Sequence, residues 1–277
     1  MLRFHSPGIP TPAKPKGILA GLDYIKQYGL DGMEVLFTHG VNMSSALASA
    51  VKQKAQNLDL TLTVHGPYWI NFNSLDKSKF EASIERVINT IIKGHELGAK
   101  SITFHPAFTH GDSPEVVTSR VVTGLRDVIS KLDYTDTLDV LIAPETTGKP
   151  TQFGSVDDIL AVSTAFNKQT SICVDFSHYY ARTNGKENGK KSFQQTLNKI
   201  SGSLGVSALK NLHIHISGII YSEKGEIKHR TLKEETEFEW KTLLQVLKEN
   251  DVSGWVSVET PDIEISAKIA KDYYHSL

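Results

Sequence analysis

Apolar positions along this chain fall into two alternating patterns. Short runs rich in β-branched and aromatic residues, such as "GMEVLF", "LTLTVHG" and "NLHIHIS", are separated by longer stretches in which apolar residues recur every three or four positions. Runs of the first kind stand at about 2–6, 32–37, 60–66, 101–106, 139–145, 171–178, 211–217 and 255–260, eight in all. Their length and composition predict strands. Between them, "FEASIERVINTIIKGHELGAK" places Ile84, Val87, Ile88, Ile91 and Ile92 on one stripe of a helix. The strand and helix unit returns roughly every 30 to 40 residues, with no linker or low-complexity segment. That repetition predicts one α/β domain spanning residues 1–277, a single (β/α)8 TIM barrel, rather than two domains.

In such a barrel the carboxyl ends of the strands converge on one mouth, where barrel enzymes build their sites. Metal-capable residues stand near every predicted strand end: His5, Glu34, His65, His105, Glu145, Asp175 with His178, His213 with His215, and Glu259. A purely structural role does not account for all eight. Glu145 follows Val140, Leu141 and Ile142, where an interior strand should be ending. A carboxylate there must turn outward, find a partner or bind a metal. Asp175 lies between Val174 and Phe176, in a strand apolar on both faces, so it too asks for a cation. His213 and His215 share one face by the period-two rule.

Imidazoles mixed with carboxylates suit zinc, manganese or iron, and the number of histidines favours zinc, with more than one ion and manganese as the alternative. Glu145 falls between His105 on the fourth strand and Asp175 on the sixth, where it is placed to bridge two metals. Such pairs activate water for attack at phosphorus.

Charge narrows the partners. With 30 Lys and Arg against 31 Asp and Glu, the chain has no bulk attraction for nucleic acid, so any such contact must use local basic patches. The one cysteine, Cys173, excludes an internal disulfide and reads as a small buried hydrophobe within "SICVDF". The start lacks the basic-then-apolar order of a signal peptide, and no apolar run approaches a membrane span. A cytoplasmic protein without membrane contact is expected.

Taken in order, "VHGPYWIN", "ITFHPA", "APETTGKPTQFGS", "VDFSHYYAR", "LHIHISGIIY", "EKGEIKH" and "VSVETPD" resemble the endonuclease IV family. These are zinc-dependent apurinic/apyrimidinic endonucleases of the xylose-isomerase-like barrel superfamily, and the wording is most similar to the archaeal branch. The resemblance implies a monomeric hydrolase of base excision repair that acts on DNA containing abasic sites and cuts the phosphodiester 5′ to the lesion. It implies one zinc on His65, His105 and a bridging Glu145, and a second on Glu145, Asp175, His213 and Glu259. A third would take His178 and His229, but Ile227 stands where the family has an aspartate, with Glu226 beside it. The resemblance also places Tyr68 and Trp69 where the family wedges side chains into the duplex. Lys149, Lys228 and Arg230, with Lys186, Lys190 and Lys191, are candidates for phosphate contact. The family's intercalating arginine near "FTHGVN" has no counterpart.

Two other readings compete. A sugar isomerase or epimerase of the same superfamily would hold one divalent metal on Glu145, Asp175, His213 and Glu259, and Glu34 resembles its second-strand glutamate. His65, His105 and "EKGEIKH" favour the nuclease, since a one-metal enzyme does not need them. A non-catalytic binder of damaged DNA is the remaining alternative.

Overall fold

Each of the eight apolar runs forms a parallel strand in the computed structural model, which describes residues 1–132, 139–166, 169–234 and 236–277. We label them β1 (Leu2–Pro7), β2 (Gly32–Leu36), β3 (Thr61–His65), β4 (Ser101–Phe104), β5 (Leu141–Pro144), β6 (Cys173–Asp175), β7 (Leu212–Ile216) and β8 (Gly254–Val258). Hydrogen bonding runs in the order β5, β4, β3, β2, β1, β8, β7, β6. The ring closes between β5 and β6 through parallel bridges Ile142↔Thr170 and Glu145↔Cys173. The architecture is therefore a single (β/α)8 barrel.

Helices cover the outside because their apolar stripes have only the strands to pack on. In the helix Lys77–Leu97, Ile84, Val87, Ile88 and Ile91 are buried and Ile92 is partly so, while Asp76 caps its start by accepting from the Ser78 and Lys79 amides. Among the described residues no helix is long and apolar enough to cross a membrane.

The expected strand over 171–178 ends early. Asp175 accepts the His178 backbone N–H at 2.7 Å, and a helix, Phe176–Arg182, starts at once. Side-chain capping wins over further extension, because few strand partners remain there and the helix end needs an acceptor. His178 thus sits in a helical first turn above the barrel. The long connection after β7 contains an antiparallel hairpin of Gly218–Ser222 and Gly225–Arg230, and residue 235 beyond it lies outside the described residues. A second short pair, Ala107–Phe108 with Gln152–Phe153, ties together the loops after β4 and β5.

Candidate metal centre

Strand register sorts the predicted residues into two layers. Asp175 stands beside His215, and Cys173 stands beside His213. His213 and His215 both point into the barrel, as alternation requires, but only His215 reaches the level of Asp175. The histidine grouped with Glu145, Asp175 and Glu259 is accordingly His215, which corrects the expectation for His213.

The lower layer is saturated from within. His213 contacts Ser101 Oγ through Nδ1 at 3.0 Å and Glu34 Oε1 through Nε2 at 3.1 Å. His5 bonds Thr63 Oγ1 at 3.1 Å and Thr61 Oγ1 at 2.8 Å, and burial pushes its pKa down to about 3. Burial lowers His213 as well, so both rings are neutral. Cys173 is buried against His213 and His215, and burial pushes its thiol up. None of these reaches the mouth.

The upper layer centres on Glu145, which is fully buried. Its Oε2 lies 3.1 Å from His65 Nε2 and 3.5 Å from His105 Nε2, while its Oε1 lies 3.2 Å from His215 Nδ1 and 3.4 Å from His178 Nδ1. Three sets of donors converge: His65, His105 and Glu145; Glu145, Asp175, His215 and Glu259; and Asp175, His178 and His229. Glu145 belongs to the first two sets, and Asp175 to the last two. Within each set the donor atoms lie inside 4.8 Å of one another.

Backbone contacts hold this arrangement. The Glu145 amide donates to Phe104 O at 3.0 Å, and the Thr146 hydroxyl both donates to Asp175 O at 3.1 Å and accepts from the Asp175 amide at 2.9 Å. Thr146 thereby locks the two carboxylate-bearing strand ends together. Nothing in the residue type or spacing of "ETT" marks that role in advance. Arg182 donates to the Thr147 hydroxyl and to the Lys149 and Gln152 carbonyls, fixing the loop after Glu145.

Electrostatics show a centre that attracts cations. Burial opposes ionisation of Glu145, yet His215 and His105 hold its carboxyl well below the usual range. Burial likewise opposes charge on His65 and His178, but the carboxylates outweigh it. Glu145 raises His65 to about 9, and Asp175 with Glu145 raises His178 to about 10. Asp175 Oδ2 is buried with no hydrogen-bond partner among the described residues. His178 Nδ1 lies 3.3 Å from it but donates to Thr146 O, so this buried carboxylate oxygen keeps no donor of its own, which is costly unless a cation binds there. The donor set therefore fits divalent metal ions of the zinc class.

Around the mouth, Tyr68 and Trp69 are 51% and 64% exposed, and the Tyr68 ring stands 6.1 Å from that of His65. A cavity of about 150 Å³ lies between Tyr68, His105, His178 and Glu226. Lys149 and Lys228 are exposed, whereas Arg230 pairs with Glu234 at 3.2 Å. Lys190 is engaged with Glu249.

Comparison with known proteins gives the same architecture. The family model described as xylose isomerase-like TIM barrel matches residues 22–276. An uncharacterized protein of Methanocaldococcus jannaschii is 36% identical over 277 residues, covering 100% of this chain and 98% of its own length. A "probable endonuclease 4" of Oceanobacillus iheyensis is 30% identical over 174 residues, which is 61% of this chain and 55% of that protein. Two solved structures resemble the fold over 98% of this chain. A D-tagatose 3-epimerase-like protein has a TM-score of 0.74 at 17% identity and is covered over 97% of its length. Endonuclease IV from Thermus thermophilus has a TM-score of 0.70 at 15% identity and is covered over 100%.

Proposed function

The chain belongs to the xylose isomerase-like TIM barrel family, and from that premise we propose that it is a zinc-dependent apurinic/apyrimidinic endonuclease. It hydrolyses the DNA phosphodiester 5′ to an abasic site, in base excision repair, as a cytoplasmic monomer. The observation that carries this reading is the sharing of Glu145 between His65 with His105 on one side and Asp175, His215 and Glu259 on the other. A sugar isomerase or epimerase would need only the second set. The buried His65 and the half-buried His105 would then have no chemistry to perform. The segment matched to proteins named "probable endonuclease 4" supports the same choice.

On this reading His65, His105 and Glu145 hold one zinc, and Glu145, Asp175, His215 and Glu259 hold a second. When bound, the metals supply Lewis acidity, lowering the pKa of water toward about 7 and offsetting phosphate charge. The chain's own groups supply position. Glu145 contributes one oxygen to each side, and the Thr146 hydroxyl keeps it in register with Asp175. Glycine, threonine and glutamate carbonyls take the Nδ1 protons of His65, His178 and His229, so that each Nε2 faces the mouth. Exposed Tyr68 and Trp69 offer flat faces to bases left unstacked beside an extruded sugar, and Lys149 and Lys228 meet flanking phosphates.

The test is a cleavage assay with zinc-loaded protein on a duplex holding one abasic site, beside an intact duplex and a ketose. A nick 5′ to the lesion, reduced to less than about a tenth in Glu145→Gln, is expected, because a neutral amide is a poor bridge between two cations. Ketose epimerisation with an uncut duplex would replace this reading with the sugar enzyme. Tight binding to the abasic duplex without cleavage would replace it with the non-catalytic binder.

A further inference from the structure

In a regular strand, residues two apart share a face, so Ile227 should lie on the same side as His229. It does not. Ile219 pairs with His229 and Ile220 with Lys228, but Tyr221 pairs with Glu226, so the register shifts at Ile227. Ile227 is the extra residue of a β-bulge and is 57% exposed. A bulge inserts one residue without a partner and re-aims its neighbours. Glu226 and His229, three apart, consequently reach the same side of the hairpin, over His178.

The three side chains leave a common gap. His178 Nε2 and His229 Nε2 are 3.2 Å apart, and the Glu226 oxygens lie 3.6 Å from each. His178 Nδ1 donates to Thr146 O at 3.1 Å and His229 Nδ1 to Glu259 O at 2.8 Å. Carbonyl oxygens only accept, so each Nδ1 carries a proton, and without a shared proton between them the two Nε2 lone pairs would face each other beside a carboxylate. That arrangement is repulsive unless a cation occupies the gap. Two nitrogens bound to tetrahedral zinc at about 2.0–2.1 Å stand about 3.3 Å apart, close to the separation seen here.

Gly148 makes room for the carboxylate. A Cβ at this position would fall 2.7 Å from Glu226 Cβ and Oε2 and 3.2 Å from His178 Cδ2. The Glu226 amide donates to Gly148 O at 2.9 Å, and the neighbouring Gly225, at φ +90°, would strike the same oxygen at 2.3 Å if it carried a side chain. Both glycines are needed for the hairpin tip to close over the loop after Glu145.

We propose that Glu226 is the carboxylate ligand of a third zinc held with His178 and His229, the bulge at Ile227 having moved the carboxylate one position along the strand. This rests on the zinc reading above and deepens it. The test uses the purified full chain with zinc alone as probe. It reads bound zinc per chain by elemental analysis, affinity by titration against a chelator, and positions by anomalous scattering. The parent should bind three zinc ions. Glu226→Gln should bind two, or hold the third at least about tenfold more weakly. Gly148→Ala, which crowds Glu226 aside, should do the same, with thermal unfolding of each metal-free variant reporting that it is folded. Ile227→Asp should leave the third ion unchanged, because its side chain points to solvent. Three ions retained at parental affinity in both Glu226→Gln and Gly148→Ala, tightening in Ile227→Asp, or only two ions in the parent would overturn this proposal while leaving the two-metal reading intact. Fewer than two ions in the parent would overturn both.

Discussion

Glu34 Oε1 accepts from His215 Nε2 at 3.2 Å, inside the barrel and below the candidate metal centre. The same oxygen accepts from His213 Nε2 at 3.1 Å. Burial works against a charged Glu34, but His215 and His213 hold it well below the ordinary carboxylate range. Glu34 therefore orients His215 through Nε2 and aims its Nδ1 at Glu145 and Glu259, 3.2 and 3.5 Å away. Replacing Glu34 with glutamine should weaken zinc at the second set by about 10- to 100-fold, with the first set unaffected. Chelator competition measures it, and an unchanged second affinity would reduce Glu34 to a packing role.

The layering of His213 and His215 makes a paired prediction. His215→Ala should release one zinc, because His215 is the imidazole beside Glu145, Asp175 and Glu259. His213→Ala should keep that zinc and instead lower stability by about 1–3 kcal/mol, since Glu34 and Ser101 lose a buried partner. Zinc content and denaturant unfolding together decide it. The reverse pattern would restore His213 to the metal set.

The barrel was legible in the sequence because the signal for each strand is local: a short β-branched run, then an amphipathic stripe such as Ile84 to Ile91. Strand ends were less so. Nothing local tells that the Asp175 side chain will cap a helix three residues before the apolar run stops. Glu145, His65, His105, Asp175 and Glu259 stand where strand ends converge, and chain order alone brings them together. Choosing between His213 and His215 required register, because alternation gives both the same face and only pairing with Asp175 sets their height. The bulge at Ile227 is a pairing property of two strands and has no signature in "EKGEIKH" by itself.

Protonation should compete with metal. His65 and His178 have pKa values of about 9 and about 10 without metal, above their unfolded value of 6.5. For groups raised in this way, the stabilisation is fully present below pH 6.5 and is lost as pH rises through 9 to 10. Metal-free protein should thus melt at progressively lower temperature from near neutrality to about pH 10. Zinc needs the deprotonated rings, so the rise in melting temperature on adding zinc should grow over the same interval. Melting curves with and without chelator give both slopes, and a zinc increment that is flat with pH would show that neither ring is a ligand.

Binding to abasic duplex should depend on salt and on the rim aromatics in separable ways. The chain carries a net charge of -1, so only local cations such as Lys149 and Lys228 can displace counterions from phosphates. Affinity should fall as salt rises, and removing either lysine should make the logarithmic slope shallower by about 1. Arg230 should matter less, because Glu234 already offsets its charge. Trp69 is 64% exposed, so Trp69→Ala should leave the melting temperature and zinc content unchanged. It should still cost about 1–3 kcal/mol of binding if a base stacks on the indole. That corresponds to roughly 5- to 150-fold weaker affinity, with the salt slope preserved, since stacking moves no counterions. Fluorescence anisotropy with a labelled duplex at several salt concentrations measures both quantities. Parental affinity in Trp69→Ala would remove the indole from the interface, and a salt-independent affinity would remove the lysines.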